Sequence, residues 1–156
     1  MFSALLDTCV LVPSRARDVL LEIASTGAYR PLWSSEILDE FERTLGTLLG
    51  KRGTSPEETD AYLTRLFRQM KTAFPDAPVT GWEQLVPTIE LPDPDDRHVV
   101  AAAMAGRADV IVTGWAEASG TARFAERMFD PAVDAAGRTI TGNRPWSAPG
   151  WRPAGR

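Results

Sequence analysis

The chain has 156 residues, 44% of them hydrophobic and 24% charged, which suits one compact domain with its own core and is too short for two full ones. Its net charge of -4 at pH 7 makes the overall field repel a polyanion, so any contact with nucleic acid must be local. The single cysteine, Cys9, excludes an intrachain disulfide framework and a zinc knuckle and fits a reducing compartment. The start MFSALLDTCVLVP lacks the basic leader of a signal peptide, and no window approaches the ~18 apolar residues of a membrane span. A cytoplasmic location is expected.

In chain order, Ser3 to Val12 is an apolar run stopped by Pro13 and interrupted by Asp7, the pattern of a buried strand. Arg15 to Ser25 repeats Val19, Leu20 and Ile23 at helical spacing, and Tyr29 to Trp33 follows as a short strand. Ser34 and Ser35 offer N-caps to a helix with the stripe Ile37, Leu38, Phe41, Leu45, Leu48 and Leu49, ending near Gly50. Ser55 to Phe74 is the next expected helix, with Pro56 in its first turn. Val86 to Leu91 is expected as a strand, Pro94 to Gly106 as a helix, and Asp109 to Thr113 as a strand. Strands alternating with helices imply an α/β fold on a parallel sheet.

Residues 1–113 therefore form the expected domain core, and 114–156 differ in kind. Every leucine lies at or before Leu91, and after Thr113 the branched aliphatics are Val133 and Ile140. The tail carries arginine without lysine, and its balance is basic. At most one short helix, Ala118 to Phe129, is expected there, followed by a mobile coil. Its wealth of Arg, Ala, Gly, Pro and Trp is also what a shifted reading frame of a GC-rich gene tends to encode.

Ligands of a parallel α/β sheet bind at the carboxyl ends of the strands. On the expected layout those ends carry Asp7 and Thr8, Ser34, the run Asp93, Asp95 and Asp96, and Thr113. Glu40 lies about 60° from Ile37 around its helix, whereas Glu36 faces nearly opposite the apolar stripe, so Glu40 is the better candidate to be held inward. Carboxylates gathered this way repel one another unless a cation lies between them, and oxygen ligands without His or Cys suit Mg²⁺ or Mn²⁺. The implied chemistry is phosphoryl transfer to water. Asp93-Pro94-Asp95-Asp96 is also a good helix start, and Glu40 taken alone is an ordinary helix acid. His98 reads as packed or solvated rather than catalytic, and Cys9 as a small core residue.

Other acid-based motifs fail on spacing. A calcium loop from Asp93 needs Gly at its sixth position and Glu at its twelfth, where His98 and Met104 stand. A haloacid dehalogenase phosphatase needs a second Asp two residues after Asp7, where Cys9 stands. No GxxxxGK[ST], GxSxG or HExxH occurs.

LLDTCVLV, WSSEILDEFERTL and LPDPDDRHVVAAAMAGRADVIVT, in this order, resemble the PIN-domain nucleases, in particular the VapC-like toxins of bacterial toxin-antitoxin pairs. The resemblance spans Leu5 to Thr113 and implies a three-layer α/β/α domain around a central, mainly parallel four-stranded sheet. It implies a ribonuclease that uses Mg²⁺ or Mn²⁺, with Asp7, Glu40 and Asp96 as catalytic metal ligands and Asp93, Thr8 and Thr113 as auxiliary groups. Implied partners are an RNA substrate, a small antitoxin protein and a second copy of the chain; Arg15, Arg17 and Arg30 are candidate holders of the RNA backbone.

Two departures stand out. Cys9 replaces the family's usual Asn, and Trp115 occupies a position two residues after Thr113 where the family has an acid or Asn; indole cannot bind Mg²⁺, and Glu117 is the nearest substitute. They motivate a second reading, a catalytically impaired PIN fold kept as an RNA- or protein-binding module. A third, a receiver-type phosphoacceptor domain, needs a lysine at a strand end, but Lys51 and Lys71 fall in helical or linker segments.

Overall fold

The structure, a computed structural model, describes residues 1–113. The expectations for the tail, including the helix over 118–129 and the placement of Trp115 and Glu117, lie outside the described residues. Four strands, β1 (Ser3–Leu6), β2 (Arg30–Ser34), β3 (Pro78–Val79) and β4 (Val110–Val112), form a sheet in the order β3-β2-β1-β4, parallel throughout. β1 is buried along its whole length, as a central strand covered on both faces must be, and SALL presents no charge there.

Pro31 lies inside β2 without breaking it. Arg30 donates its N–H to Phe2 at 2.8 Å and Trp33 donates to Ala77 at 3.1 Å, so alternate residues of β2 address opposite neighbours. Pro31 therefore faces the β3 side, and β3 pairs only from Trp33 onward. Its missing N–H removes no ladder bond.

The helices are α1 (Thr8–Leu11), α2 (Ser14–Ser25), α3 (Ser35–Lys51), α4 (Pro56–Ala73) and α5 (Arg97–Gly106). β1, β2 and β3 step in one direction across the sheet, and the chain then returns over β2 and β1 to β4. Right-handed crossovers consequently put α1 to α4 on one face and α5 on the other, giving three layers, α/β/α. α3 starts where the Ser34 hydroxyl accepts the N–H of Ile37 at 3.2 Å. α4 starts with a reciprocal cap between Ser55 and Glu58. The core gathers Leu5, Leu6, Leu11, Ile37 and Phe41, all fully buried, with Phe67 5.3 Å from Phe41 between ring centroids.

Two expected elements change. The run Ser3 to Val12 is a strand only to Leu6. Asp7 caps the short helix α1, because its carboxylate takes the Thr8 N–H at 2.7 Å and turns the chain. Val86 to Leu91 is not a strand: Val86–Thr88 forms a single 3₁₀ turn around Pro87, and the third strand is Pro78–Val79 instead. The two prolines in Pro75 to Pro78 make that segment look like a helix-ending loop in the sequence. Among the described residues no helix is long and apolar enough to cross a membrane.

α5 reaches the sheet closely through Gly106. A Cβ there would stand 2.8 Å from Val79 Cγ2 and 3.2 Å from Leu32 Cδ1, and the stiff branched valine cannot yield easily. Gly106→Ala is expected to cost about 1–3 kcal/mol in urea unfolding, against the usual helical advantage of alanine. The opposite edge of the β1–β4 pair is latched by Asp109, whose carboxylate accepts the Ser3 N–H at 2.7 Å and the Ser3 hydroxyl at 2.9 Å. These bonds, the backbone one first, hold Asp109 below its ordinary pKa. A lowered folded pKa stabilises above the unfolded value and is lost as pH falls through the folded one. Asp109→Asn should lower Tm at pH 7, and the gap to wild type should close on acidification below the usual carboxylate range.

Candidate functional site

The site is built at the carboxyl ends of β1 and β4. The Asp7 N–H donates to Val112 at 3.1 Å, extending the ladder one residue past β1. Its carboxylate is held on both oxygens: Oδ1 accepts the Thr8 N–H at 2.7 Å, and Oδ2 accepts the Thr113 hydroxyl at 3.1 Å and the Cys9 thiol at 3.0 Å. Thr8, 7% exposed, then links α1 to α3, its hydroxyl donating to Glu40 Oε2 at 2.9 Å and lying 3.4 Å from the Ile37 carbonyl. The shorter contact, to the ionised acceptor, is the stronger one.

Asp96 arrives from the other layer. The 3₁₀ turn Pro94–Asp96 is capped by Asp93, whose Oδ1 accepts the Asp95 N–H at 2.9 Å, and Asp96 leads directly into α5. Its carboxyl is held above the ordinary range, first by burial and then by the charges of Asp93, Asp7 and Glu40, against the lowering effect of His98. The sequence-predicted acids thus stand in one electrostatic neighbourhood. Asp93 is exposed at its outer side, serving as a cap. Thr8 and Thr113 touch the carboxylates they flank.

Among the described residues no arginine or lysine pairs with Asp7, Glu40 or Asp96; the His98 ring approaches with Nε2 3.8 Å from Glu40 Oε2. Neutral hydroxyl, thiol and backbone donors orient the acids without cancelling their charge. Among those residues, too, no group of three or more His, Cys, Asp and Glu is arranged to hold a metal ion directly. The donor set nevertheless fits a hydrated hard cation, which keeps several waters and takes only one or two carboxylates from the protein.

Several contacts differ from the sequence reading. Cys9 is not a core residue: it is exposed, with Sγ 3.0 Å from both Asp7 Oδ2 and Thr113 Oγ1. The two-residue step from Asp7 into a helical turn, rather than along a strand, brings it there. Glu36 is not turned away, since a step of four residues leaves it beside Glu40 on a cavity of about 490 Å³ that Arg43, Trp82 and His98 also line. Arg17 cannot hold RNA: it is 2% exposed, donates to the Leu11 carbonyl at 3.0 Å and to Tyr62 Oη at 3.2 Å, and lies over the Phe41 ring. Arg30 sits at the amino end of β2, opposite the acids, where it reaches the Gly106 carbonyl at 3.4 Å.

The profile of the PIN domain matches residues 3–114, most of the chain and the whole of the four-stranded sheet. The chain belongs to the PIN domain family. No curated protein and no solved structure matches it. PIN domains are generally nucleases and typically use divalent metal ions.

A carboxyl whose folded pKa is raised is worse off ionised in the fold than in the unfolded chain. Its cost grows as pH rises through the folded pKa and vanishes below the unfolded one. Asp96→Asn in this PIN domain should therefore raise Tm in EDTA at pH 7 and lose that advantage in acid. Added Mg²⁺ or Mn²⁺ should raise the Tm of the wild type more than that of the variant.

Proposed function

We propose that this PIN domain is a ribonuclease dependent on Mg²⁺ or Mn²⁺, hydrolysing RNA phosphodiester bonds, and that it is the toxin of a toxin-antitoxin pair. The observation that carries the nuclease reading is the uncompensated acid cluster. Asp96 is pushed up first by burial and then by the neighbouring carboxylates Asp93, Asp7 and Glu40, with His98 acting against them, while no arginine or lysine among the described residues is paired with the central acids. An arrangement that costs stability in the free protein is reasonable where a cation is meant to relieve it.

Asp7, Glu40 and Asp96 would hold the ion. Bound there, it would supply positive charge and Lewis acidity for in-line attack of water on the phosphodiester. The chain's own residues do the positioning. Thr113 and Cys9 fix one oxygen of Asp7 and the Thr8 backbone fixes the other. Thr8 aims Glu40 from the opposite side, so a rotation of either acid breaks at least one charge-assisted hydrogen bond. Asp96, entering from the α5 layer, would be the third holder of the ion and holds a proton more readily than an exposed aspartate.

The toxin reading is supported by the order of the three sequence motifs and by the outer face of α2, where Val19 and Ile23, one turn apart, are 59% and 42% exposed. A small antitoxin is the proposed partner of that surface, and a second copy of the chain its alternative occupant.

The test is cleavage of a mixed RNA by the full chain in Mg²⁺, Mn²⁺ or EDTA, beside the doubly substituted Asp7→Asn, Asp96→Asn protein prepared identically. Cleavage that needs the metal and falls roughly a hundredfold or more in the variant is expected. Equal cleavage by both proteins would place the reaction elsewhere or in a contaminant. No cleavage from folded protein would favour the impaired-module reading that Trp115 raises.

A further inference from the structure

His98 is the one histidine of the chain, and its place in the sequence suggests only packing or solvation. The structure puts it against the acid site. Its ring lines the cavity of about 490 Å³ together with the carboxylates Glu36, Glu40 and Asp95 and the indole of Trp82. Trp82 meets it edge to face, ring centroids 6.3 Å apart, and only 17% of the His98 side chain stays exposed. Of the three carboxylates, Glu36 pairs with Arg43 at 3.5 Å and Asp95 is exposed, so the one that His98 faces is Glu40, Nε2 to Oε2 at 3.8 Å.

The polar atoms of the ring are poorly served by the protein. Among the described residues Nδ1 is buried without a hydrogen-bond partner, and Nε2 is too far from Glu40 for a hydrogen bond. An imidazole has a nitrogen on each side to satisfy, and withdrawing it from water with neither one paired is costly, which asks for something that uses its lone pair. Two donors bound to one ion at roughly 2.1 Å each lie about 3.0–3.5 Å apart, so side-chain torsions bring Nε2 and Oε2 to that spacing by closing a few tenths of an ångström. The Thr8 hydroxyl already steadies the same Glu40 oxygen from the other side at 2.9 Å. Carboxylates and water suit Mg²⁺, whereas an imidazole nitrogen is a ligand of transition ions.

We infer that His98 Nε2 is a ligand of the ion held beside Glu40 and gives the site a preference for Mn²⁺ over Mg²⁺. The inference rests on the ribonuclease reading for the presence of an ion and adds to it one ligand and the choice of ion. Among the described residues no three His, Cys, Asp or Glu side chains are clustered for a metal, so the pair acts as an open clamp whose remaining positions are left to water. Trp82 and the walls of the cavity hold the ring in place, as packing around a ligand must. Co²⁺ and Ni²⁺ are expected to bind more tightly than Mn²⁺, in the order common to nitrogen and oxygen sites.

The test uses the full chain with no added polyhistidine segment. Mn²⁺ binding is followed by the loss of the free-ion EPR signal, Mg²⁺ binding by its competition, and pulsed EPR of the bound Mn²⁺ then reads whether nitrogen is in its shell. Because the chain has a single histidine, an imidazole nitrogen coupling identifies His98. The wild type is expected to show that coupling and to bind Mn²⁺ roughly tenfold or more tightly than Mg²⁺. His98→Gln is expected to lose the coupling and about tenfold in Mn²⁺ affinity, with Mg²⁺ affinity changed by less than about twofold. The wild-type spectrum decides the assignment even where the variant fails to fold. Bound Mn²⁺ with oxygen ligands alone, or equal losses of Mn²⁺ and Mg²⁺ affinity in His98→Gln, would overturn it.

RNA cleavage by the same wild-type preparation separates the two readings. Metal-dependent cleavage beside an oxygen-only spectrum would leave the nuclease and remove His98 from the shell. A nitrogen coupling in folded protein that cuts no RNA would keep the ligand and remove the nuclease.

Discussion

The parallel ladder between β1 and β4 is what the site rests on. It joins Ala4, Leu5 and Leu6 to Val110, Ile111 and Val112, and its last rung carries Asp7 to Val112. Because the strands run in the same direction, both end at the same rim, and Asp7 and Thr113 meet without any further device. Everything else in the site is referred to Asp7: Cys9 and Thr8 by the helical turn that Asp7 caps, Glu40 by the Thr8 hydroxyl. The Ser3 to Asp109 latch secures the other end of the same ladder. Register there is fixed at both ends of a short strand, where a one-residue slip would turn Asp7 away from the rim.

A second constraint is electrostatic. Among the described residues the acids are supplied with neutral hydrogen-bond donors and not with arginine or lysine, whereas the arginine buried there, Arg17, ties α1 to α4 through Leu11 and Tyr62. Hydrogen bonds from hydroxyls orient a carboxylate but bring no charge to offset its own. Orientation and charge are thus separated: the first is built in, and the second is left for whatever binds.

Much of this is legible in the sequence. The stripe Ile37, Phe41 and Leu45, the Ser34 cap, the capping box at Ser55 and the DVIVT strand follow periodicities that local physics enforces, and the structure has them in place. Asp7 is legible because strand ends in a parallel sheet converge, and Glu40 from its angle to Ile37 on the helix; Asp96 is expected behind a strand over Val86 to Leu91 and instead enters from the 3₁₀ turn that leads into α5. What the sequence hides, it hides for identifiable reasons. LLDTCVLV reads as one apolar strand, since nothing in its hydropathy shows that a capping aspartate bends it, and with that bend unseen Cys9 falls into the core. The third strand is only Pro78–Val79, too short to carry any period, while the longer apolar segment after it is the more strand-like by composition and folds as a turn around Pro87. Arg17 reads as a surface cation because its burial depends on Phe41 and Tyr62, which reach it from other helices.

The placement of β1 bears on the order in which the molecule assembles. The strand at the sheet's centre is made among the first residues, yet its partner on one side, β4, lies more than a hundred residues later. Contacts of that sequence separation carry a large loop-closure cost and form late. β1, β2 and the helices between them can associate while the chain is still short, but the rim that unites Asp7 with Thr113 cannot exist until β4 docks. The Asp7 to Thr113 contact therefore comes only with the docking of β4, whereas the Thr8 to Glu40 contact lies within the first forty residues.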